Sequence, residues 1–244
     1  MKPNYLCIGA QKSGTYSLVH YMNQHPEIYM LSEEPHFFDM FYNQNKIKEY
    51  ESKFKTSKKF VGEKTPSLCY LNYAMDRVHY HYPDIKLIFL LREPVKRAFS
   101  QYTMDCHKNK ECISLKGFTA SIKKDINIKL SDIKSNGPYT LQRGYYAEQI
   151  EYILTRFPKE NLYIGVSEEI LKNKLEEYNK IYKFIGTYDL NRLRDQDAHV
   201  SDYHIKLDSD TAGKIYEIYK PYNEKLYKLI GRKIDSWEEY YSSL

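Results

Sequence analysis

The sequence predicts an α/β fold: a single domain over residues 1–244, with a central parallel sheet, helices on both faces and a P-loop-like topology. Three observations predict it. Short apolar runs without polar alternation recur along the chain, as expected of parallel strands that are buried on both faces. Segments with apolar residues at helical spacing lie between these runs. No internal repeat or linker divides the chain, whose 244 residues suffice for one well-buried domain.

The first unit, Tyr5 to Leu18, is predicted to bind an anion. An apolar strand leads into a loop with Gly9 and Gly14, and a helical pattern begins directly after it. Backbone N–H groups at such a helix start point at a ligand, and the helix dipole adds partial positive charge. Lys12 supplies a full charge. The expected anion-contacting residues are Gln11, Lys12, Ser13, Gly14, Thr15, Tyr16 and Ser17.

The same loop departs from a nucleoside-triphosphate site. Gly9 and Gly14 have the required spacing, but Thr15 stands where the lysine for the terminal phosphates should be. The only lysine of the loop is Lys12. This predicts a ligand without a β,γ-phosphate pair and its Mg²⁺. A nucleotide kinase or NTPase, and an ordinary glycine turn without a ligand, remain alternatives.

Composition sets modest limits. A net charge of +5, from 37 basic and 32 acidic residues, is too small a surplus to predict nucleic-acid binding. No apolar run approaches the ~18 residues of a membrane span, and no signal peptide is recognisable, so we expect a cytoplasmic protein. The cysteines show no metal-ligand spacing. Cys106 and Cys112 could pair in an oxidising compartment, but free thiols are favoured.

The second predicted strand, Tyr29 to Leu31, precedes an acidic tract. Because the carboxyl ends of parallel strands adjoin the ligand crevice, four side chains are expected there: Glu33, Glu34, His36 and Asp39. The alternative is a solvated acidic turn. A surface helix is predicted within 43–59, and the short strand that follows ends near Lys64, for which the alternative is an ordinary surface lysine.

The run Leu87 to Leu91 is the clearest buried strand. Arg92 follows it, and Pro94 suits the first turn of a helix. Ser100 lies about 9 Å from Pro94 along the axis of that helix. Arg92 can bind a phosphate with two hydrogen bonds, and Ser100 can donate a further one from its hydroxyl. Arg97, on the same helix, is expected to face solvent.

The remaining elements carry less chemistry. An amphipathic helix begins after Arg143. A polar loop from Leu190 to Ile205 contains His199 and His204; we expect His199 to be an exposed loop residue, with a catalytic role as the alternative. The further predicted elements are a helix at 75–82, a helix at 118–126, a strand at 162–166, a helix at 168–185 and a final helical region from 210 onward.

Several of these segments resemble those of sulfotransferases that use 3′-phosphoadenosine 5′-phosphosulfate (PAPS), in particular the heparan-sulfate-type or carbohydrate branch. Q-K-S-G-T at 11–15 is similar to the 5′-phosphosulfate loop, E-P-H-F-F-D at 34–39 to the base segment and G-E-K-T-P at 62–66 to the lysine segment. R-G-Y-Y at 143–146 resembles a segment near the nucleotide. The most specific match is R-x-P-x-x-R-x-x-S-x-[YW], the 3′-phosphate motif, whose fixed positions here are Arg92, Pro94, Arg97, Ser100 and Tyr102.

The resemblance implies a sulfotransferase fold and transfer of a sulfuryl group from PAPS to an acceptor hydroxyl, or less favourably an amine, with 3′-phosphoadenosine 5′-phosphate (PAP) as product and no metal required. Glu34 would be the base, accompanied by His36. Lys12 and Lys64 would stabilise charge on the sulfuryl group.

The nucleotide would also contact Arg92, Ser100 and Arg143. The acceptor would be a carbohydrate or a small natural product, and the oligomeric state stays open. Tyr16 replaces a residue that is often basic in heparan-type relatives, and the loop around His199 lacks their glycine. A non-catalytic PAP-binding module is a further alternative.

Overall fold

The computed structural model describes residues 1–195 and 205–244. Their five strands form one parallel sheet in the order β2-β3-β1-β4-β5, which confirms the predicted α/β fold with a central parallel sheet. The strands are β1 (Tyr5–Gly9), β2 (Ile28–Met30), β3 (Phe60–Lys64), β4 (Lys86–Leu91) and β5 (Leu162–Val166).

Helices cover both faces of this sheet. They are α1 (Thr15–Gln24), α2 (Ile47–Glu51), α3 (Asn72–His81), α4 (Pro94–Asn109), α5 (Leu115–Asp125), α6 (Tyr146–Leu154), α7 (Ser167–Lys172), α8 (Lys174–Ile185), α9 (Ser209–Ile230) and α10 (Asp235–Ser242). Successive residues of a strand point to opposite faces. In β4, Phe89 packs into a core with α3 and α6, whereas Ile88 packs into a second core with α1 and α8. Strands buried on both sides account for the apolar runs.

The position of the ligand crevice follows from the pairing of the two central strands, β1 and β4. β1 pairs with β3 on one side and with β4 on the other, and the loops that follow β1 and β4 both leave the sheet at its carboxyl edge. The Ala10 N–H donates to the Leu90 carbonyl at 2.7 Å, which ties the two loops together where they begin. Ligands of open parallel sheets bind at this kind of edge, between neighbouring strands whose connections diverge.

Two predicted helices have different extents in the structure. A surface helix is present within 43–59, as predicted, but it is short: α2 ends at Glu51 and a connection follows it. Tyr50 on α2 and Phe54 after it are buried in the aromatic core with Phe37 and Phe38. The helix predicted at 168–185 is two helices, separated by Asn173, whose φ of −133° and ψ of 58° are not helical. The loop prediction for His199 and His204 falls outside the described residues.

The expectation that Arg97 faces solvent is also wrong. The side chain is completely buried, and its guanidinium donates to Gln101 Oε1 at 2.8 Å and to the Thr140 carbonyl. α4 packs against α5 and α9 as well as against the segment that contains Thr140, so Arg97 lies inside the protein. In the described ranges all the cysteines are free, and no helix has the length and apolar character needed to cross a membrane.

Candidate active-site cleft

A cleft of about 1280 Å³ opens at the carboxyl edge of the sheet. Glu33 and Asp39, which were expected at the crevice, do not line this cleft: Glu33 is exposed and Asp39 is buried beside His36. The structure brings all the predicted catalytic and nucleotide-contacting residues to the walls of the cleft. They are Gln11, Lys12, Ser13, Gly14, Thr15, Tyr16, Ser17, Glu34, His36, Lys64, Arg92, Ser100 and Arg143. They come from four strand ends and from the segment before α6, so the sheet itself assembles residues that are distant in sequence.

The loop after β1 has the geometry of an anion site. Gly14 precedes α1 with a φ of 82°, a left-handed conformation that glycine adopts readily, and no side chain caps the helix. The first N–H groups of α1 therefore have no capping side chain to receive them. Ser13 Oγ is buried and has no hydrogen-bond partner among the described residues. An open helix start beside an unpartnered buried hydroxyl fits an anionic ligand.

Lys12 and Arg92 connect the two loops of the cleft. Arg92 Nη1 donates to the Lys12 carbonyl at 2.9 Å, so the residue after β4 reaches the loop after β1. Lys12 Nζ lies 3.7 Å from Met104 Sδ on α4. Burial lowers the pKa of Lys12, and the neighbouring charge of Arg92 lowers it further. The effect of burial reflects lost hydration of the ammonium group, whereas the effect of Arg92 reflects excess positive charge, which an anion would neutralise.

The start of α4 differs from the start of α1. The Glu93 carboxylate accepts hydrogen bonds from the Val95 and Lys96 N–H groups at 2.8 and 2.7 Å, so this helix is already capped. An anion at this end of the cleft must therefore be bound by side chains. Arg92 and the half-buried Ser100 line the cleft here.

Glu34 lies between two positively charged groups. Lys64 Nζ is 2.5 Å from Glu34 Oε1, and His36 Nε2 is 3.3 Å from Glu34 Oε2. Partial burial alone would raise the pKa of Glu34, but hydrogen bonds from His36 and Lys64 outweigh it and lower that pKa to about 2. The glutamate is therefore ionised and paired.

His36 is held in the charged form by a second carboxylate. Its Nδ1 lies 2.9 Å from Asp39 Oδ2, and hydrogen bonds with Asp39 and Glu34 raise the pKa of His36 to about 10. Asp39 is fixed in turn, because it accepts from Ser67 Oγ at 2.5 Å and from Asn136 Nδ2 at 3.0 Å. His36, Glu34 and Lys64 thus line one wall of the cleft, and the buried Asp39 pairs with His36 behind that wall, so that the four groups alternate in charge.

Arg143 is almost completely buried behind the loop after β1. Its guanidinium donates to Gln11 Oε1 at 3.0 Å, to the Tyr70 hydroxyl at 2.9 Å and to the Gly137 carbonyl at 2.7 Å. It also lies over the Tyr70 ring, 4.3 Å from the centroid. Arg143 therefore holds Gln11 in place; its direct contact with a phosphate stays a prediction.

The sequence did not identify several residues of this wall. Ser67 and Asn136 were missed, although both contact Asp39, because a lone serine or asparagine in a turn carries no distinctive pattern. The buried carboxyl group of Glu63, behind this wall, was not identified either. It is buried on β3, where burial raises its pKa to about 7 against the hydrogen bonds from Thr65 and Tyr50. The only feature of the sequence that could have identified Glu63 is that it directly precedes Lys64.

No group of three or more His, Cys, Asp or Glu side chains in residues 1–195 and 205–244 is arranged to hold a metal ion. The prediction that no metal is required stays a prediction.

Comparison with known proteins gives a consistent result. The family model described as "Sulfotransferase domain" matches residues 2–209. Human heparan sulfate glucosamine 3-O-sulfotransferase 3B1 is 25% identical over 253 aligned positions, which cover 94% of this chain and 63% of that protein. The chain thus spans less than two thirds of the length of that relative.

Among solved structures, a sulfotransferase from Alicyclobacillus acidocaldarius superposes with a TM-score of 0.78 at 24% identity, covering 98% of this chain and 99% of the other. A sulfotransferase domain from the curacin biosynthetic pathway superposes with a TM-score of 0.52 at 14% identity, covering 78% and 76% of the respective chains. At these identities the likeness shows a shared fold.

Proposed function

The chain belongs to the sulfotransferase family, and from that premise we propose that it transfers the sulfuryl group of PAPS to an acceptor hydroxyl, with an amine as the less favoured acceptor. One observation carries the proposal. An open helix start for an anion and a paired carboxylate and lysine, Glu34 and Lys64, line the same cleft.

The nucleotide would lie across the two loops of the cleft. The loop of residues 11–17 suits the 5′-phosphosulfate, because its N–H groups and the Ser13 hydroxyl are available there. Arg92 and Ser100 suit the 3′-phosphate. The hydrogen bond from Arg92 to the Lys12 carbonyl supports this assignment, since it brings the Arg92 side chain to the loop after β1.

The chemical step needs a base and a means of dispersing charge. Glu34 takes the proton of the acceptor hydroxyl while that oxygen forms a bond to sulfur. The bond from sulfur to the bridging oxygen breaks, and PAP leaves with the electron pair. Lys12 and Lys64 stabilise the negative charge on the sulfuryl and bridging oxygens, which is the electrostatic strategy of phosphoryl transfer as well.

The pairing of Glu34 with Lys64 provides a way to change the basicity of Glu34 when substrate binds. A carboxylate with a pKa of about 2 is a weak base. When Lys64 turns toward the sulfuryl group, Glu34 loses its closest positive partner and its pKa rises. His36 and Asp39 meanwhile keep the carboxylate in position. Proton transfer is thereby favoured only when the donor substrate is bound.

A carbohydrate hydroxyl is the first acceptor class to test. The similar human protein is named for action on heparan sulfate glucosamine. Tyr16, on the rim of the cleft, departs from the basic residue common in that branch, so a small natural product is the second class.

The proposal is tested by calorimetric titration with PAP, ATP and ADP, with and without Mg²⁺, followed by a screen of acceptors with radiolabelled PAPS. We expect PAP to bind without Mg²⁺ and more tightly than ATP. Mg²⁺-dependent ATP binding without PAP affinity would instead indicate a kinase or NTPase. PAP binding with no transfer to any acceptor would favour a binding module.

A further inference from the structure

Glu93, which directly follows Arg92, has a hydrogen-bond partner in the last helix. The residue is 1% exposed, and Tyr241 of α10 donates its hydroxyl to Glu93 Oε1 at 2.8 Å. The same carboxylate caps α4. A buried carboxylate is costly unless hydrogen bonds satisfy it, so the Tyr241 hydroxyl contributes to keeping Glu93 in this position.

α10 reaches the same turn by a second route. Trp237 Nε1 donates to Glu168 Oε2 at 3.1 Å, and Glu168 Oε1 accepts the Glu93 N–H at 3.0 Å. Trp237 is fully buried, whereas Glu168 is partly exposed and lines the cleft. One side chain of α10 thus holds the Glu93 carboxylate, and another holds the Glu93 backbone through Glu168.

Tyr241 is itself fixed by α9. Asn223 Nδ2 donates to the Tyr241 hydroxyl at 2.9 Å, and the Tyr241 ring stacks on Tyr216 with 3.8 Å between the ring centroids. The hydroxyl is therefore presented to Glu93 in a defined orientation rather than by a freely rotating side chain.

We infer that α10 is a positioning element for Arg92, in which Tyr241 acts through Glu93, and Trp237 through Glu168, to hold the turn between β4 and α4. That turn directs Arg92 toward the Lys12 carbonyl. The inference rests on the proposed function, because its consequence is selective: loosening the turn weakens recognition of a 3′-phosphate and leaves the 5′ end of the nucleotide bound as before.

The test compares Tyr241→Phe with Tyr227→Phe as a matched control. Tyr227 also donates its hydroxyl to a carboxylate between α9 and α10, to Glu238 Oε1 at 3.1 Å, but that carboxylate is not Glu93. Dissociation constants for PAP and adenosine 5′-monophosphate are measured by calorimetry, and thermal unfolding is recorded for each variant. We expect Tyr241→Phe to weaken PAP about five-fold and adenosine 5′-monophosphate less than about two-fold, since one hydrogen bond to a charged group is lost at a distance. The control should change neither ligand by more than about two-fold.

Trp237→Phe is the second variant, because it keeps an aromatic ring and removes the N–H that reaches Glu168. The same selective loss for PAP is expected. Equal weakening of both nucleotides, or no weakening by either variant, would overturn the positioning role while leaving the proposed function intact. If the unaltered protein binds both nucleotides equally, the proposed 3′-phosphate site is wrong and the inference falls with it.

Discussion

Lys64 Nζ lies 2.5 Å from Glu34 Oε1, and the lysine side chain of this pair is far more buried than the carboxylate. The lysine ends β3, and the glutamate follows β2, the neighbouring strand of the sheet. The pair therefore exists because two adjacent parallel strands end at the same edge. Because Lys64 pairs with it, the carboxylate of Glu34, the candidate base, is only weakly basic in the structure.

Replacement of Glu34 by glutamine should abolish most transfer activity while PAP still binds. Loss of a general base lowers the rate by about a hundred-fold or more, whereas the nucleotide contacts are left in place. The measurement is the initial rate of sulfuryl transfer together with the dissociation constant of PAP.

Glu33→Gln is the matched control for this prediction. Glu33 is the adjacent carboxylate, is largely exposed and lies 3.6 Å from Lys53. It should retain close to full activity. Equal loss of activity in both variants would exclude Glu34 as a specific base.

Replacement of Lys64 by methionine should raise the pKa of Glu34 well above about 2, because the carboxylate then keeps His36 as its only close cation among the described residues. The pKa is followed by carbon NMR of the labelled carboxyl group. We also expect a rate loss of about a hundred-fold, since charge on the sulfuryl group is no longer stabilised. An unchanged titration midpoint would show that the pair does not form in solution.

His36 should make stability depend on alkaline pH. Hydrogen bonds with Asp39 and Glu34 raise its pKa from 6.5 to about 10 in the folded protein. Because the pKa of His36 is higher in the folded than in the unfolded protein, protonation of His36 stabilises the fold. This contribution to the free energy of unfolding is complete below pH 6.5 and disappears as the pH rises through about 10. The free energy of unfolding should therefore fall between pH 7 and 10 more steeply in the natural protein than in His36→Gln. Parallel pH profiles for the two proteins would contradict the assignment of a charged His36.

Replacement of Arg97 by alanine should destabilise the protein by about 3 kcal/mol, because the Thr140 carbonyl and the Gln101 side chain lose a buried donor. Urea unfolding measures the change. Arg156→Ala is the control, because Arg156 pairs with Asp76 at the surface and should cost at most about 1 kcal/mol. A similar small cost at both positions would show that Arg97 is not part of the core in solution.

Much of this site could be predicted from the sequence, because strand ends in a parallel sheet converge. The apolar run before Arg92 and the small-residue loop around Lys12 located two neighbouring strands, and their carboxyl ends determine the cleft. The assignment of catalytic and nucleotide contacts to particular residues stays a prediction, as do the single domain over 1–244 and the cytoplasmic location.

The sequence could not show which polar side chains become buried. Arg97 lies on α4, which looks amphipathic, and Glu93 caps the start of that helix. Both side chains are covered, because α4 packs against α5 and α9 and because Tyr241 of α10 contacts Glu93. Tertiary contacts of this kind depend on residues more than a hundred positions away, such as Tyr241. The spacing of neighbouring residues in the sequence does not predict these contacts.

The central claim is that one adenosine carrying two phosphates spans the loop after β1 and the turn after β4. It is tested most directly by replacing Arg92 with alanine and measuring the affinities for PAP and for adenosine 5′-phosphosulfate by calorimetry. Because only PAP carries a 3′-phosphate, the account predicts a loss of about ten-fold or more for PAP and less than about two-fold for adenosine 5′-phosphosulfate. Equal losses for the two nucleotides would contradict it.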